Sequence, residues 1–379
     1  MSLVAGERRS HRSRFSLRAR GARTVPRVSA SVLLPAMLLV LLAAMVLSAM
    51  MGAVHVPPRD VVTIVLNHIG DLLSQLWKPL GFQIDATYTQ QQDSVVWSIR
   101  LPRILLGVMV GSALAVSGAA LQGMFRNPLA DPALIGVSNG AALGAVLAIG
   151  LSISLLGRWT TPVFAFAGGI LFALLGYALA RQNGRTEVVT LILAGIALNT
   201  FAGAGVALVT FIADDAQLRA IIFWSMGSLS GSTWRSVIAA APFVIAGLIA
   251  SFWWRRPLNL MTLGEREARH LGVSTERVRF LVIVFTALMT GATVAVAGVV
   301  GFVGLIVPHI IRLFSGPNHR TLLPASALGG AILIVLADLI ARTIISPLEL
   351  PLGVLTAFIG GPFLLLLMLK TRRADGGWG

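Results

Sequence analysis

Long windows without a charged side chain constrain this chain more than any other feature. None occurs for 31 residues between Arg27 and Arg59, nor for 22 between Arg103 and Arg126. Further such windows are 132–157, 159–180, 188–213, 220–234, 236–254, 280–311, 321–337 and 350–369. A bilayer-crossing helix needs about 20 apolar residues. Hydrophobic residues make up 56% of the chain and charged ones 12%, where a soluble domain carries about 25% charged. No soluble core of this length hides so much apolar side chain, so the fold class is all-α and polytopic.

The window from 280 is too long for one crossing, since a helix continued to Phe314 would run ~50 Å at ~1.5 Å per residue. Glycines at 298, 301 and 304 offer a break, and the second helix is then short and carries Pro308. The expectation is ten spans, roughly 32–54, 104–125, 133–156, 160–181, 188–211, 235–254, 280–300, 303–315, 322–345 and 350–369. Ten is even, so both ends share a side. Arginine and lysine are retained in the cytoplasm, and most of them fall on the segments that share a side with the termini, which puts both ends there.

The domain reading is a transmembrane body over 31–370 between two cytoplasmic tails, 1–30 and 371–379. The first tail holds eight arginines and one glutamate in a Ser/Gly/Ala background and reads as disordered and lipid-facing. A nucleic-acid-binding arm is the lesser reading. Only two tyrosines and 7% aromatics argue against a stacking platform for nucleic acid. A cleaved signal is disfavoured because the apolar run Val32–Val54 exceeds the ~7–15 residues of such a core. Residues 55–99 are the one sizeable outer segment, expected to be a structured cap, with a His55/His68 metal site as a minor alternative.

Residues 111–118 read GSALAVSG and 291–298 read GATVAVAG. At the same offset Pro128 matches Pro308 and Gly136 matches Gly316. The two copies begin on helices of opposite direction, as an inverted repeat demands. Both also suit small-residue packing stripes, and the two readings are compatible.

Several chemistries are excluded cheaply. The chain has no cysteine, which removes thiolate metal sites, clusters and Cys nucleophiles. A P-loop needs GxxxxGK[ST], and the only lysine followed by Ser or Thr is Lys370, with Leu364 and Leu369 where its glycines should stand. The chain is therefore expected not to be an enzyme and to bind no cofactor. An ion-coupled carrier keeps ionisable groups at mid-membrane. Here the spans hold essentially one acid, Asp338, with Arg342 one turn later and read as its local ion pair. Energy is then expected from a partner, and the longest inner loop, 255–279, is where one would dock. It reads RRPLNLMTLGEREARHLGVSTERVR, with polar Glu265–His270 between Gly264 and Gly272.

The stretch RLPRILLGVMVGSALAVSGAALQGMFRNPLADPALIGVSNGAALGA, residues 100–145, closely resembles the FecCD-type permeases. These are membrane subunits of bacterial ATP-driven importers for iron–siderophores, haem and vitamin B12. The likeness continues through FWSMGSLSG at 223–231, LGEREARHLGV at 263–273, AVAGVVGFVGLIVPHIIRL at 295–313, ADLIAR at 337–342 and the segment from Glu349 to Leu367. It implies type II ABC importer architecture with about ten spans and an inverted repeat. It also implies a homodimer in the bacterial inner membrane, two copies of a cytoplasmic ATPase that bind ATP and Mg, and a periplasmic binding protein. Gly264, Glu265, Arg266, Glu267, Ala268, Arg269 and Gly272 match the ATPase-coupling helices. Arg100, Arg103 and Arg342 match outer arginines that pair with the binding protein, and Asn127 and Leu129 match the inner gate. Phe201, Gly205, Phe223 and Met226 fall where the path should be lined. The Arg-rich tail and the long first outer segment depart from the pattern.

The transported substrate is expected to be haem, because FRNPLADPALIG at 125–136 is most similar to the haem-import members, whereas the vitamin B12 permease has an acid where Arg126 stands. Ferric siderophore or vitamin B12 on the same machinery is the alternative. An ion-coupled carrier and a non-transporting scaffold are the alternatives of another class.

Overall fold

The computed structural model describes residues 28–374 apart from 53, 77, 79, 80 and 86. Most of the first tail and the last five residues lie outside the described residues. The helices are α1 (Ala30–Met50), α2 (Pro58–Leu76), α3 (Gln90–Ser94), α4 (Leu101–Phe125), α5 (Val137–Gly150), α6 (Thr160–Ala180) and α7 (Val188–Ile212). They continue as α8 (Asp215–Ser225), α9 (Trp234–Met261), α10 (Glu265–His270), α11 (Thr275–Ala297), α12 (Val303–Ser315), α13 (His319–Thr343) and α14 (Leu352–Ala374). A two-stranded hairpin, β1 (Arg181–Gln182) and β2 (Arg185–Thr186), joins α6 to α7, with Arg181 opposite Thr186.

Among the described residues seven helices are long and apolar enough to cross a membrane. Three shorter apolar ones, at 137–150, 303–315 and 352–367, complete the ten expected segments. Two segments differ most from the sequence reading. The third segment was expected over 133–156, yet α5 covers 14 residues, ~21 Å of helix. Pro132 and Gly136 cut its start: Asp131 Oδ1 accepts from Ala133 N to cap a 3-10 turn, and Gly136 sits at φ +86°. The sixth runs on to Met261 through Arg255, Arg256 and Pro257, because charged side chains are tolerated once the helix leaves the hydrocarbon. Only Thr262–Gly264 and Leu271–Ser274 of the expected 255–279 loop are therefore non-helical. The break at 298–302 falls where the glycines placed it.

The core is built around α4, buried along nearly its whole length. It approaches α13 at backbone distance, since a Cβ on Gly111 would sit 2.0 Å from Gly330 O and one on Gly330 2.0 Å from Gly111 O. Without a hydrophobic force between helices in lipid, small residues let backbones meet. Both repeat segments serve this packing. Their offset does not align equal elements, because α11 ends at Ala297 whereas α4 continues to Phe125, and Pro128 lies in a turn while Pro308 lies inside α12.

The described residues of segment 55–99 are structured, as expected of a cap. The inner side of α2 buries Val61 and Ile64 against Ala44, Ala49, Val96, Ile104 and Val335. His68 donates or accepts at Asp93 Oδ1, 2.9 Å away, and stacks on Trp97 at 4.0 Å between centroids. His55 is exposed and makes no part of that pair.

Candidate functional site

The loops divide between the two ends of the bundle as alternating spans require. Residues 48–54, 100–103 and 338–349 meet at one end. At the other, the β1–β2 hairpin meets α11, whose Arg279 also reaches Glu265 of α10, and Asn259 meets Asn318 and His319.

The coupling segment is built on two turns. Gly264 adopts φ +140°, and a Cβ there would lie 1.9 Å from Glu267 Oε2. Gly272 adopts φ +83°. Between them α10 anchors itself by buried Ala268 and leaves Arg266, Glu267, Arg269 and His270 exposed. Leu263 and Leu271, 64% and 58% exposed, flank it at either end. This makes a short, protruding surface with a polar centre and apolar edges, suited to a protein groove. Glu265 is tied to Arg269 one turn on, and Arg279 Nη2 lies 3.4 Å from its other oxygen. Burial pushes the Glu265 carboxyl up, but the Arg269 hydrogen bond and the charges of Arg279 and Arg269 hold it below the ordinary glutamate value.

At the opposite end the structure brings Arg100, Arg103 and Arg342 into one cluster, and it spends them inside the chain. Arg100 is 5% exposed and donates to Ala49 O at 2.6 Å, Met50 O at 3.1 Å and Val54 O. Arg342 donates to Met51 O at 2.7 Å and to Ser48 O. Helices leave their last four carbonyls without partners, and these two guanidiniums supply the missing donors at the end of α1. Arg103 Nε lies 3.0 Å from both Asp338 oxygens, and its Nη1 and Nη2 reach Glu349 at 2.9 and 3.1 Å. Arg100, expected to face a binding protein, is buried here and held by the carbonyls at the end of α1. The expected Asp338–Arg342 ion pair is present at 3.7 Å, and Arg103, at 2.9 Å, is the closer partner of Asp338. Glu349 remains 37% exposed, and its hydrogen bond from Arg103 holds its carboxyl below the usual value.

Asn127 and Leu129, the residues expected at an inner gate, sit in the turn between α4 and α5. Arg126 caps α4 in the left-handed region, Asn127 Oδ1 accepts from Leu129 N at 2.9 Å, and Leu129 is 38% exposed. Gln122 locks this turn to α12, its Nε2 donating to Ala130 O and Gly304 O while its Oε1 accepts from Arg312 at 2.7 Å.

Of the expected path residues, Phe201 and Phe223 are 67% and 66% exposed and Met226 is 37% exposed. Gly205 lies against α5, where a Cβ would lie 2.7 Å from Leu143 Cδ1. Sequence reasoning missed Arg279, Glu276, Thr186 and Glu349. Arg279 and Glu276 both carried charge in the right loop, but nothing in the sequence tied them to Thr186.

The sequence profile of the FecCD transport family matches residues 39–370. The chain belongs to that family. It is 46% identical over 286 residues to the hemin transport system permease protein HmuU of Yersinia pestis, covering 74% of this chain and 85% of that protein. It is 45% identical over 291 residues to the cobalamin import system permease protein BtuC of Halobacterium salinarum, covering 76% of each. Among solved structures it superposes on a metal-chelate type ABC transporter in an inward-facing conformation. That match has a TM-score of 0.74 and 35% identity, over 89% of this chain and 98% of the other. The protein is a multi-pass membrane permease of the ABC importer class with type II architecture.

Proposed function

We propose that this FecCD-family chain carries haem across the bacterial inner membrane, as a homodimer driven by two cytoplasmic ATPase subunits and fed by a periplasmic binding protein. The observation that carries the cargo reading is Arg126, exposed at the end of α4 in the FRNPLADPALIG stretch. A cation there suits the two propionates of haem, and an acid there would repel them. The 46% identity to a hemin permease supports the reading. The 45% identity to a cobalamin permease makes cobalamin the runner-up on the same machinery.

Both termini are placed in the cytoplasm by the arginine distribution, so α10 faces the ATPase and the 55–99 cap faces the periplasm. Transport is alternating access without covalent chemistry on this chain: closure of the ATPase dimer moves α10, and the spans rock to open the path to the other face. Asp338 offers no free carboxylate for an ion-coupled mechanism, because it is held by Arg103. Docking of the binding protein through Arg103 and Arg342 would require those side chains to exchange Asp338, Glu349 or the α1 carbonyls for partners outside, whereas Glu349 is already accessible.

The test is uptake by proteoliposomes containing the assembled complex, with binding protein loaded in turn with haem, cobalamin or a ferric siderophore. ATP-dependent signal from a haem-binding reporter inside the vesicles is the expected result. Robust cobalamin or siderophore uptake without haem signal overturns the cargo reading and leaves the permease reading standing.

A further inference from the structure

Arg279 is 1% exposed and sits one turn inside α11, where it ties three separate segments together. Its Nη1 donates to Thr186 O in the β1–β2 hairpin at 2.5 Å and to Glu276 Oε1 at 2.6 Å. Its Nη2 lies 3.4 Å from Glu265 Oε2 on α10. Glu276 closes the ring from the other side, its Oε2 accepting from Thr186 N at 3.1 Å and Thr186 Oγ1 at 2.8 Å. Thr186 is itself buried, and α7 begins two residues later at Val188.

The covalent connections of α10 are weak levers. Each runs through a turn with a left-handed glycine, Gly264 before the helix and Gly272 after it. Such turns change φ and ψ readily and can absorb a push instead of passing it on. The guanidinium is the opposite kind of link, planar and donating in several fixed directions at once. Buried ion pairs of this kind seldom add stability over an apolar filling of equal volume, so packing alone does not account for a buried arginine where a methionine would fit. Specific attachment of α10 to the hairpin does account for it.

We propose that Arg279 is the positioning residue that fastens α10 to the β1–β2 hairpin, so that displacement of α10 by an ATPase is delivered to the inner end of α7. That helix presents Phe201 on its exposed face, so the linkage runs from the coupling surface to the path. The proposal rests on the reading that α10 meets an ATPase, and the experiment separates the two.

The assembled complex is reconstituted with Arg279→Met, Arg279→Lys and Glu276→Gln, and uptake and ATP hydrolysis are measured in the same vesicles. Arg279→Met is expected to keep the ATPase bound and hydrolysing while uptake per ATP falls roughly threefold to thirtyfold, the usual reach of a coupling residue. Arg279→Lys should recover part of the ratio, and Glu276→Gln should lower it in the same direction. A wild-type uptake-to-hydrolysis ratio in Arg279→Met overturns the proposal. Should Arg279→Met fail to assemble, Thr186→Val removes one donor only, and spin labels at exposed Arg185 and Arg266 report the linkage. The expected result is a 185–266 distance that ATP leaves unchanged in the otherwise unaltered chain and broadens in Thr186→Val. A distance that shifts with ATP while Thr186 is intact overturns the proposal. A photo-crosslinker at Arg266 tests the underlying reading: no ATPase adduct removes that reading, whereas an adduct with an unchanged Arg279→Met ratio removes the proposal alone.

Discussion

Burying an ionised carboxylate is costly unless it is paired, and Asp338 has Arg103 at 2.9 Å with both side chains largely hidden. Removing one member of a buried pair leaves the other charge unpaired, a cost of about 3–5 kcal/mol. Asp338→Asn is therefore expected to lower thermal stability in detergent sharply. Glu349→Gln alters a part-exposed contact, for which ~0.2–1 kcal/mol is the usual scale. A melting series that reverses this order would show that Arg103 depends on Glu349 instead. The pH behaviour follows from the lowered Glu349 carboxyl. A carboxyl whose folded value lies below its unfolded one stabilises at pH above the ordinary glutamate range and loses that contribution as pH falls through the lowered value. The melting temperature should drop on acidification in that window, with a shallower drop in Glu349→Gln. Arg103 and Asp338 were both singled out in the sequence, but not as partners, because 235 residues separate them. The burial of Arg100 was not legible for a related reason. Its partners are backbone carbonyls at Ala49, Met50 and Val54, which leave no trace in side-chain chemistry.

At the scale of elements, glycine contacts set the geometry. Gly111→Val would force α4 and α13 apart where a Cβ would have to occupy the position of a backbone oxygen. Overpacking costs typically ~1–3 kcal/mol when side chains can yield, and here backbone must yield. Loss of folded protein on expression is the expected outcome, and a well-folded variant with unaltered melting would contradict the packing described. Gly264→Leu acts differently, since Gly264 bears φ +140° and Glu267 can swing away. The membrane body should stay folded while substrate-stimulated ATP hydrolysis is lost. Undiminished uptake in that variant would count against α10 as the coupling element. Element positions were largely legible because charge-free windows and the glycines at 298–304 report directly on bilayer depth. The length of α5 was not, because Pro132 and Gly136 lie inside a charge-free window and interrupt the helix without adding charge. Helix continuation past Arg255 was missed for the complementary reason: charge ends the hydrocarbon crossing but not the hydrogen-bonded helix.

At the scale of the whole molecule, the bundle carries the exposed α10 at one end and an arginine–carboxylate cluster at the other, with a tight turn at 126–131 between α4 and α5. The chain carries its work by moving, so its energy source is the claim on which the rest depends. The most direct measurement is uptake into vesicles holding the permease with and without its ATPase, with ATP present and ionophores collapsing every ion gradient. Uptake that requires both the ATPase and ATP and persists with ionophores is the predicted result. Uptake without the ATPase, or uptake abolished by ionophores while ATP hydrolysis continues, would contradict it.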